Sequence, residues 1–171
     1  SIDGCRLIEK LYESSESLIF RAKQDHDNTP VIIKMLNHEI PTREELNRFK
    51  REYELIDSSH MDGVANSVRL KKHLNTLIMI EQDIAGESLN RLMEERILDL
   101  DECLSIAVRI AENLNHIHAA NVIHKNLNPS NIVWNPNTGQ VQIIDFGIAS
   151  QFSSKNITSN PDQIEGTLAY M

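Results

Sequence analysis

The sequence HKNLNPSN at positions 124–131, followed by IIDFG at positions 143–147, is the most informative part of this chain. Two short β-rich runs lie at 131–134 and 141–144, and NPNTG at 135–139 separates them. Such a cluster of turn residues between apolar runs is typical of a β-hairpin. The order loop, strand, turn, strand, loop therefore predicts that Asn131 and Asp145 lie at neighbouring ends of a small hairpin.

The flanking sequence extends this pattern in both directions. A helical pattern ends with LNHIH at 114–118 and leads into VIH at 122–124, and GTLAYM follows at 166–171. With these flanks, the motifs resemble the active centre of a protein kinase, where a His-Arg-Asp loop and its later Asn are followed by Asp-Phe-Gly. The resemblance implies an α+β, two-lobed protein-kinase-like fold, with a β-rich N-lobe containing one helix and an incomplete α-rich C-lobe.

Composition narrows the functional classes. The 171 residues are 40% hydrophobic and 25% charged, which is enough for a sizeable core. No apolar run approaches a membrane span and no signal peptide opens the chain, so a cytoplasmic protein without membrane contact is expected. The net charge of -8 argues against a nucleic-acid partner. Cys5 and Cys103 are interpreted as reduced thiols, and His116 and His118 as solvated or core residues, because they face different sides of a helix.

The first 83 residues are interpreted as the N-lobe. Their patterns predict strands at 7–11, 18–23, 31–34, 64–70 and 74–82. They also predict one helix at 42–57, which begins with a capping box formed by Thr42 and Glu45. The apolar stripe of this helix comprises Leu46, Phe49, Tyr53 and Ile56.

Residues 84–171 are interpreted as the first half of the C-lobe, with the catalytic loop, the metal-binding loop and the activation segment. A hinge is expected at 83–86, and helices are predicted at 88–96 and 100–120. One apolar face of the longer helix comprises Leu104, Ala107, Val108, Ala111, Leu114 and Ile117. Because a kinase's second lobe is only about half built at Met171, this face is expected to lack its partner helices, and the chain is expected to be a fragment.

The resemblance implies a lysine that neutralises nucleotide phosphates. In the kinase pattern this lysine lies on the third strand, and a carboxylate on the following helix holds it in place. Lys34 and Glu52 occupy these positions. Glu54 is the rival carboxylate, but it points to another side of the helix.

The resemblance also implies a Mg²⁺ site formed by Asn131 and Asp145. Mg²⁺ prefers hard oxygen donors and keeps several waters, so one carboxylate, one amide oxygen and the phosphates suffice. The alternative makes Asn131 a turn residue and Asp145 a cap. His124 and Phe146 are expected to stack as spine residues, with Ile56 as a neighbour.

The phosphate loop departs from the family pattern, because Tyr12, Ser14 and Ser17 stand at its three glycine positions. Glycine at these positions lets backbone N–H groups approach phosphates. Ile32 replaces an alanine in the roof over adenine, so ATP binding is expected to be weak. The cofactor-binding set carried over from the family comprises Tyr12, Ser14, Ser17, Ile19, Ile32, Lys34, Glu81, Asp83 and Val133.

The catalytic loop departs further, because Asn126 stands where the family has its catalytic aspartate. That aspartate orients the substrate hydroxyl and accepts its proton, whereas an amide is a very poor base. Asn128 replaces the lysine that usually steadies the γ-phosphate, and Lys125 replaces the arginine of the motif. Phosphoryl transfer is therefore expected to be impaired.

The sequence of the whole chain is similar to that of the kinase-like N-terminal domain of large bacterial sensor proteins. In those proteins, ATPase, GAF and histidine-kinase domains follow. That resemblance implies further domains and a role in two-component signal transduction. Three functions remain open. They are an active protein Ser/Thr kinase with a protein substrate, a pseudokinase that acts as a regulatory scaffold, and a small-molecule phosphotransferase, against which the peptide-substrate-like segment at 166–171 argues.

Overall fold

A computed structural model describes residues 1–59, 63–64, 68–151 and 168–170. The chain divides into two compact units. The first unit comprises Ser1–Asp57 with Ala65–Ala85, and the second comprises Ser58–Val64 with Gly86–Met171.

The first unit is built on a five-stranded antiparallel sheet with the order β1-β2-β3-β5-β4. Its strands are β1 (Cys5–Glu13), β2 (Ser17–Gln24), β3 (Pro30–Leu36), β4 (Arg69–His73) and β5 (Thr76–Gln82). One face of this sheet forms a buried core of Cys5, Ala22, Val31, Ile33, Ile78 and Ile80. Because side chains alternate along a strand, Ile32 and Lys34 of β3 belong to the opposite face.

The single helix of this unit, α1 (Arg43–Ser59), begins at the predicted capping box. The Thr42 hydroxyl accepts a hydrogen bond from the Glu45 amide at 3.2 Å, and the Glu45 carboxylate accepts one from the Thr42 amide at 2.7 Å. Phe49, Glu52 and Ile56 are the buried residues of the helix, at steps of three and four. The buried stripe therefore contains a carboxylate between two apolar side chains.

The second unit combines a short and a long α-helix with short strands. Its elements are β6 (Glu87–Ser88), α2 (Leu89–Glu95), α3 (Leu100–Ala119), β7 (Val122–Ile123), β8 (Ile132–Asn135), β9 (Gln140–Ile143) and β10 (Ser150–Gln151). Strands β6, β8 and β9 form one antiparallel sheet, and β7 pairs with β10. The core comprises Leu89, Leu92, Ile106, Ile132, Trp134 and Val141. The α+β class is confirmed, with a β-rich first part and helices later.

The start of the strand predicted at 64–70 is wrong, because Val68 does not belong to a strand. Strand β4 begins only at Arg69, and residues 65–67 lie outside the described part. Val64 instead forms a parallel bridge with Ile143, whose amide donates to the Gly63 carbonyl at 2.9 Å. Strand β5 begins later than predicted because Leu74 has a positive φ of 52° and forms a turn.

Most of the apolar face predicted on α3 is exposed, as expected for a face without partner helices. The residues that the fold buries on this helix are Ile106, Asn113 and Ile117, which lie against the second unit's own core and β9. Ile117 of that face is buried, whereas Leu104 and Val108 are 56% and 57% exposed. Periodicity showed that the helix is amphipathic, but the position of the sheet decided which side is buried. Among the described helices, none is both long and apolar enough to cross a membrane.

Candidate functional site

The first polar cluster joins β3 to α1. The Lys34 ammonium lies 2.6 Å from Oε1 of Glu52, and the two side chains are 16% and 5% exposed. The predicted ion pair is therefore present, and the rival Glu54 is exposed. Partners that lose this much hydration depend on each other, because removing one leaves an uncompensated buried charge.

Glu81 lies on the same face of the sheet as this ion pair. It is directly opposite Ile32 in the β3–β5 ladder, and Lys34 is opposite Met79. Desolvation raises the pKa of the Glu81 carboxyl to about 7. The Lys34 charge opposes this shift, and the Glu52 and Asp83 charges add to it.

Asp83 uses its side chain to hold the chain after β5. One carboxylate oxygen accepts from Arg21 Nε at 2.7 Å, and the other accepts from the Ala85 amide at 2.7 Å. The side chain is 5% exposed. Sequence reasoning missed Arg21, although its place in β2 opposite Ile32 puts it on this face. Asp83 therefore has a structural role in the first unit, besides the binding role that the resemblance implies.

The predicted phosphate loop is a turn held by serine. The Ser14 hydroxyl accepts hydrogen bonds from the amides of Glu16 and Ser17 at 3.2 and 3.0 Å. In addition, Asn37 donates to the Ser14 carbonyl at 2.7 Å. Tyr12 is 53% exposed and pairs with Ile19 of β2. Two amides that a glycine-rich loop would offer to phosphate are thus occupied by Ser14.

In the second unit, His124 connects the catalytic-loop motif to the segment before Asp145. Its Nε2 lies 2.9 Å from the Ile144 carbonyl, and its Nδ1 accepts from the Asn126 amide at 3.2 Å. This pair of partners assigns the ring proton to Nε2. The His124 and Phe146 rings meet edge to face, with centroids 4.7 Å apart, so the expected stack is an edge contact. Ile56, their expected neighbour, is buried in α1 of the first unit.

Three asparagines hold the loop around position 126. Asn128 Nδ2 donates to the Asn126 carbonyl and to Asn126 Oδ1 at 3.0 and 3.2 Å. Asn131 Nδ2 donates to the Asn126 carbonyl at 2.9 Å. Asn128 Oδ1 accepts from the Ser130 amide and caps the short turn Pro129–Asn131. In its bond with Asn128, the Asn126 side chain acts as an acceptor, which a carboxylate could also do.

The hairpin of β8 and β9 brings Asn131 and Asp145 together, as predicted. Ile132 pairs with Ile143, and the Ile144 amide donates to the Asn131 carbonyl at 3.0 Å. Asp145 has a positive φ of 66°, a conformation that non-glycine residues rarely adopt. Because Asn131 Nδ2 donates a hydrogen bond to the Asn126 carbonyl, Oδ1 is the side-chain atom of Asn131 that can coordinate a cation.

These two residues fit a magnesium site of few protein ligands. A carboxylate and an amide oxygen are hard donors, and Mg²⁺ usually keeps waters and binds substrate phosphates as well. Within the described ranges, no group of three or more His, Cys, Asp or Glu side chains is placed to hold a metal ion. The donor set therefore favours a cation that arrives with a phosphate ligand.

Val133, the last predicted binding residue, lies on β8 opposite Gln142 and Ser88. Gly86 approaches it closely. A Cβ added to Gly86 would lie 2.8 Å from Val133 Cγ1 and from the Trp134 carbonyl oxygen. The chain therefore needs glycine where it enters β6. Residues 152–167 and Met171 lie outside the described part of the chain, so only 168–170 of the segment at 166–171 are described.

Comparison with known proteins identifies the class. The sequence profile of the protein kinase domain matches residues 6–171. A probable serine/threonine-protein kinase of Clostridium perfringens is 27% identical over 94% of this chain, and the match covers 25% of that relative. Another of Clostridium acetobutylicum is 24% identical over 97% of this chain and 25% of the relative. Mitogen-activated protein kinase 13 of Arabidopsis thaliana is 29% identical over 83% of this chain and 40% of the relative.

The chain therefore belongs to the protein kinase family, because the profile covers nearly its whole length. The sequence-based resemblance to Ser/Thr kinases is confirmed at this level. The chain spans between 25% and 40% of the length of these three relatives.

Proposed function

We propose that this domain binds ATP with Mg²⁺ and that its phosphoryl transfer is impaired by Asn126. The observation that carries the proposal is the Lys34–Glu52 ion pair, at 2.6 Å and with both side chains largely buried. In protein kinases a lysine of this kind contacts the nucleotide phosphates and depends on its helix glutamate for orientation. The pair supports nucleotide binding because it fixes an ammonium group on the polar face of the sheet.

The remaining roles follow from the donor groups. Lys34 neutralises phosphate charge, and Asn131 Oδ1 with the Asp145 carboxylate holds the metal. The metal ion, when bound, offsets negative charge on the phosphates. Ile19, Ile32, Glu81, Asp83 and Val133 belong to the proposed surroundings of the base, and Tyr12, Ser14 and Ser17 to those of the phosphates. Affinity is weak because Ser14 occupies two amides of the phosphate loop.

Impairment follows from the chemistry of position 126. A neutral amide positions a hydroxyl but does not accept its proton, and general-base catalysis typically contributes ~10²–10⁴-fold. Asn128, proposed as the second altered catalytic residue, donates to Asn126 and does not carry a positive charge to the phosphates. The loop geometry is thus organised for a substrate, while the base is missing.

The wider biological role is proposed on the relatives. Two of the bacterial relatives are named as probable serine/threonine-protein kinases, which supports a protein substrate and a place in signal transduction. We propose a cytoplasmic protein in which further domains of the same polypeptide, of the sensor type, act with this one. The second candidate is an inactive pseudokinase that serves as a regulatory scaffold, which the asparagine at position 126 favours.

The test is nucleotide titration of the full protein that contains this domain, with and without Mg²⁺. We expect weak binding that Mg²⁺ strengthens, and Asp145→Ala should remove the Mg²⁺ effect. Asp25→Ala is the matched control, because Asp25 is exposed in a loop of the first unit. No binding at millimolar ATP, or an affinity that Asp145→Ala leaves unchanged, would contradict the proposal.

A further inference from the structure

Glu81 brings an additional carboxylate to the polar face of the β-sheet. Ile33 and Ile80 pair across β3 and β5 and are buried in the core on the other face. Ile32 and Glu81 form the next pair of the ladder, so both side chains lie on the face that carries Lys34. Lys34 and Glu81 are diagonal neighbours in this ladder, a separation that long side chains can span.

The charged groups around Glu81 come from four elements. Lys34 of β3 is the cation, Glu52 of α1 is its partner, and Asp83 follows Glu81 along the chain. Arg21 of β2 is bonded to Asp83 at 2.7 Å, which largely balances that carboxylate. Lys34 and Glu52 also balance each other. The half-exposed Glu9 of β1 also lies 3.4 Å from Arg21. An ionised Glu81 therefore adds negative charge to a set whose two cations are already paired with carboxylates.

We propose that Glu81 is a positioning residue for Lys34 and that nucleotide binding requires its carboxyl group to be uncharged. This inference rests on the proposed nucleotide function and adds a regulatory group to it. An ionised Glu81 competes with Glu52 for the ammonium and repels phosphate. A protonated Glu81 does neither, and its hydroxyl can donate a hydrogen bond.

The protonation state of Glu81 is poised for this role. Desolvation holds its pKa at about 7, so the group changes charge near neutral pH. A ligand that binds only the protonated form raises the pKa of Glu81 when it binds, and takes up a proton from solution. Above pH 7 the affinity should then fall by up to ~10-fold for each pH unit.

The experiment measures the Mg·ATP affinity of the full protein by calorimetry from pH 6 to pH 8.5, in buffers of different ionisation enthalpy. The terminal phosphate of ATP has a pKa of about 6, so ATP itself takes up few protons above pH ~7. Three proteins are compared: the parent, Glu81→Gln and the matched control Glu39→Gln, which removes an exposed carboxylate from the same unit. We expect about 10-fold tighter binding of Glu81→Gln than of the parent near pH 8. The parent and Glu39→Gln should take up a proton on binding near pH 7.5, and Glu81→Gln should not.

The outcomes separate the two proposals. If the parent binds and Glu81→Gln shows the same pH slope and the same proton uptake, the role of Glu81 is wrong and the nucleotide function stands. If none of the three proteins binds Mg·ATP at any pH, the nucleotide function is wrong and this inference falls with it. Should Glu81→Gln not fold, proton uptake by the parent decides alone, because binding without uptake near pH 7.5 overturns the role.

Discussion

The two polar clusters of this chain are organised by different kinds of interaction. Around Lys34 in the first unit, charges face each other, with Glu52 at 2.6 Å and the Arg21–Asp83 pair nearby on the sheet. Around Asn126 in the second unit, neutral amides bond to each other and to the backbone at 2.9–3.2 Å. Charge is retained where a nucleotide would be bound, and it is absent at the position where a kinase needs a base.

This difference distinguishes the residues proposed for nucleotide binding from the residues proposed for phosphoryl transfer. An ion pair with little exposure fixes an ammonium group that an anion can use, whereas an amide network fixes only the shape of a loop. The same network would accept an aspartate, because Asn126 Oδ1 acts as an acceptor toward Asn128. The second unit therefore carries an amide at the position where the kinase motif has a carboxylate, and the proposed impairment rests on this substitution.

Breaking the charged cluster should have the largest effect. Lys34→Met leaves the Glu52 carboxylate buried without its partner, and breaking such a pair costs about 3 kcal/mol or more. Urea unfolding should show this loss, and Mg·ATP binding should disappear. The double variant Lys34→Met with Glu52→Gln should recover most of the stability but none of the binding. Equal stability of the parent and Lys34→Met would show that the pair contributes nothing to the fold.

Restoring the charge in the amide cluster should have the next largest effect. Asn126→Asp supplies a carboxylate of nearly the same volume, and phosphoryl transfer to a Ser/Thr substrate should rise about 10²-fold. Transfer of labelled γ-phosphate measures the rate, with Asn137→Asp in the exposed β8–β9 turn as the matched control. Lys34→Ala should abolish the gain.

The result for the parent also matters in this assay. A parent that transfers phosphate as fast as Asn126→Asp would place the base elsewhere. Absence of transfer by either protein would indicate that the serine-held loop limits the reaction and would favour the pseudokinase scaffold.

A smaller effect is expected at an ion pair on the surface of the second unit. Hydrogen bonds from the Arg96 guanidinium and from the Asp99 amide lower the pKa of the Glu102 carboxyl from 4.5 to about 2. Because the folded pKa lies below the unfolded value, this stabilisation is present above pH 4.5 and is lost as the pH falls toward 2. Glu81 acts in the opposite direction, since its raised pKa removes stability as the pH rises from 4.5 to about 7.

Thermal unfolding across this pH range tests the surface pair. Glu102→Gln should be slightly less stable than the parent at neutral pH and equally stable near pH 2, because protonation has then removed the interaction from the parent as well. Glu94→Gln on α2 is the control, since its acceptor oxygen can still bond to Asn90. A constant difference at all pH values would show that the ionised carboxylate is not the source of the stabilisation.

Much of the fold was predictable because local patterns and turn chemistry act over short distances. The Thr42 capping box, the β8–β9 hairpin and the Ser88 cap of α2 all depend on residues that are near each other in sequence. The start of β4 and the buried side of α3 were not predictable in this way. Val64 forms a β-bridge with Ile143, and Ile106 rather than Leu104 is buried in the core.

The residues of the candidate site also divide into those that the sequence predicted and those that it did not. The sequence, through its resemblance to the kinase motifs, indicated the residues of the Lys34–Glu52 and Asn131–Asp145 sets, and the structure brings the members of each set together. The sequence also determined that position 126 has no carboxylate. The folded structure was needed to show that Arg21 holds Asp83, that Ser14 occupies the turn amides, and that Glu81 lies diagonal to Lys34. These features depend on strand register and desolvation, which arise when segments distant in sequence pack together.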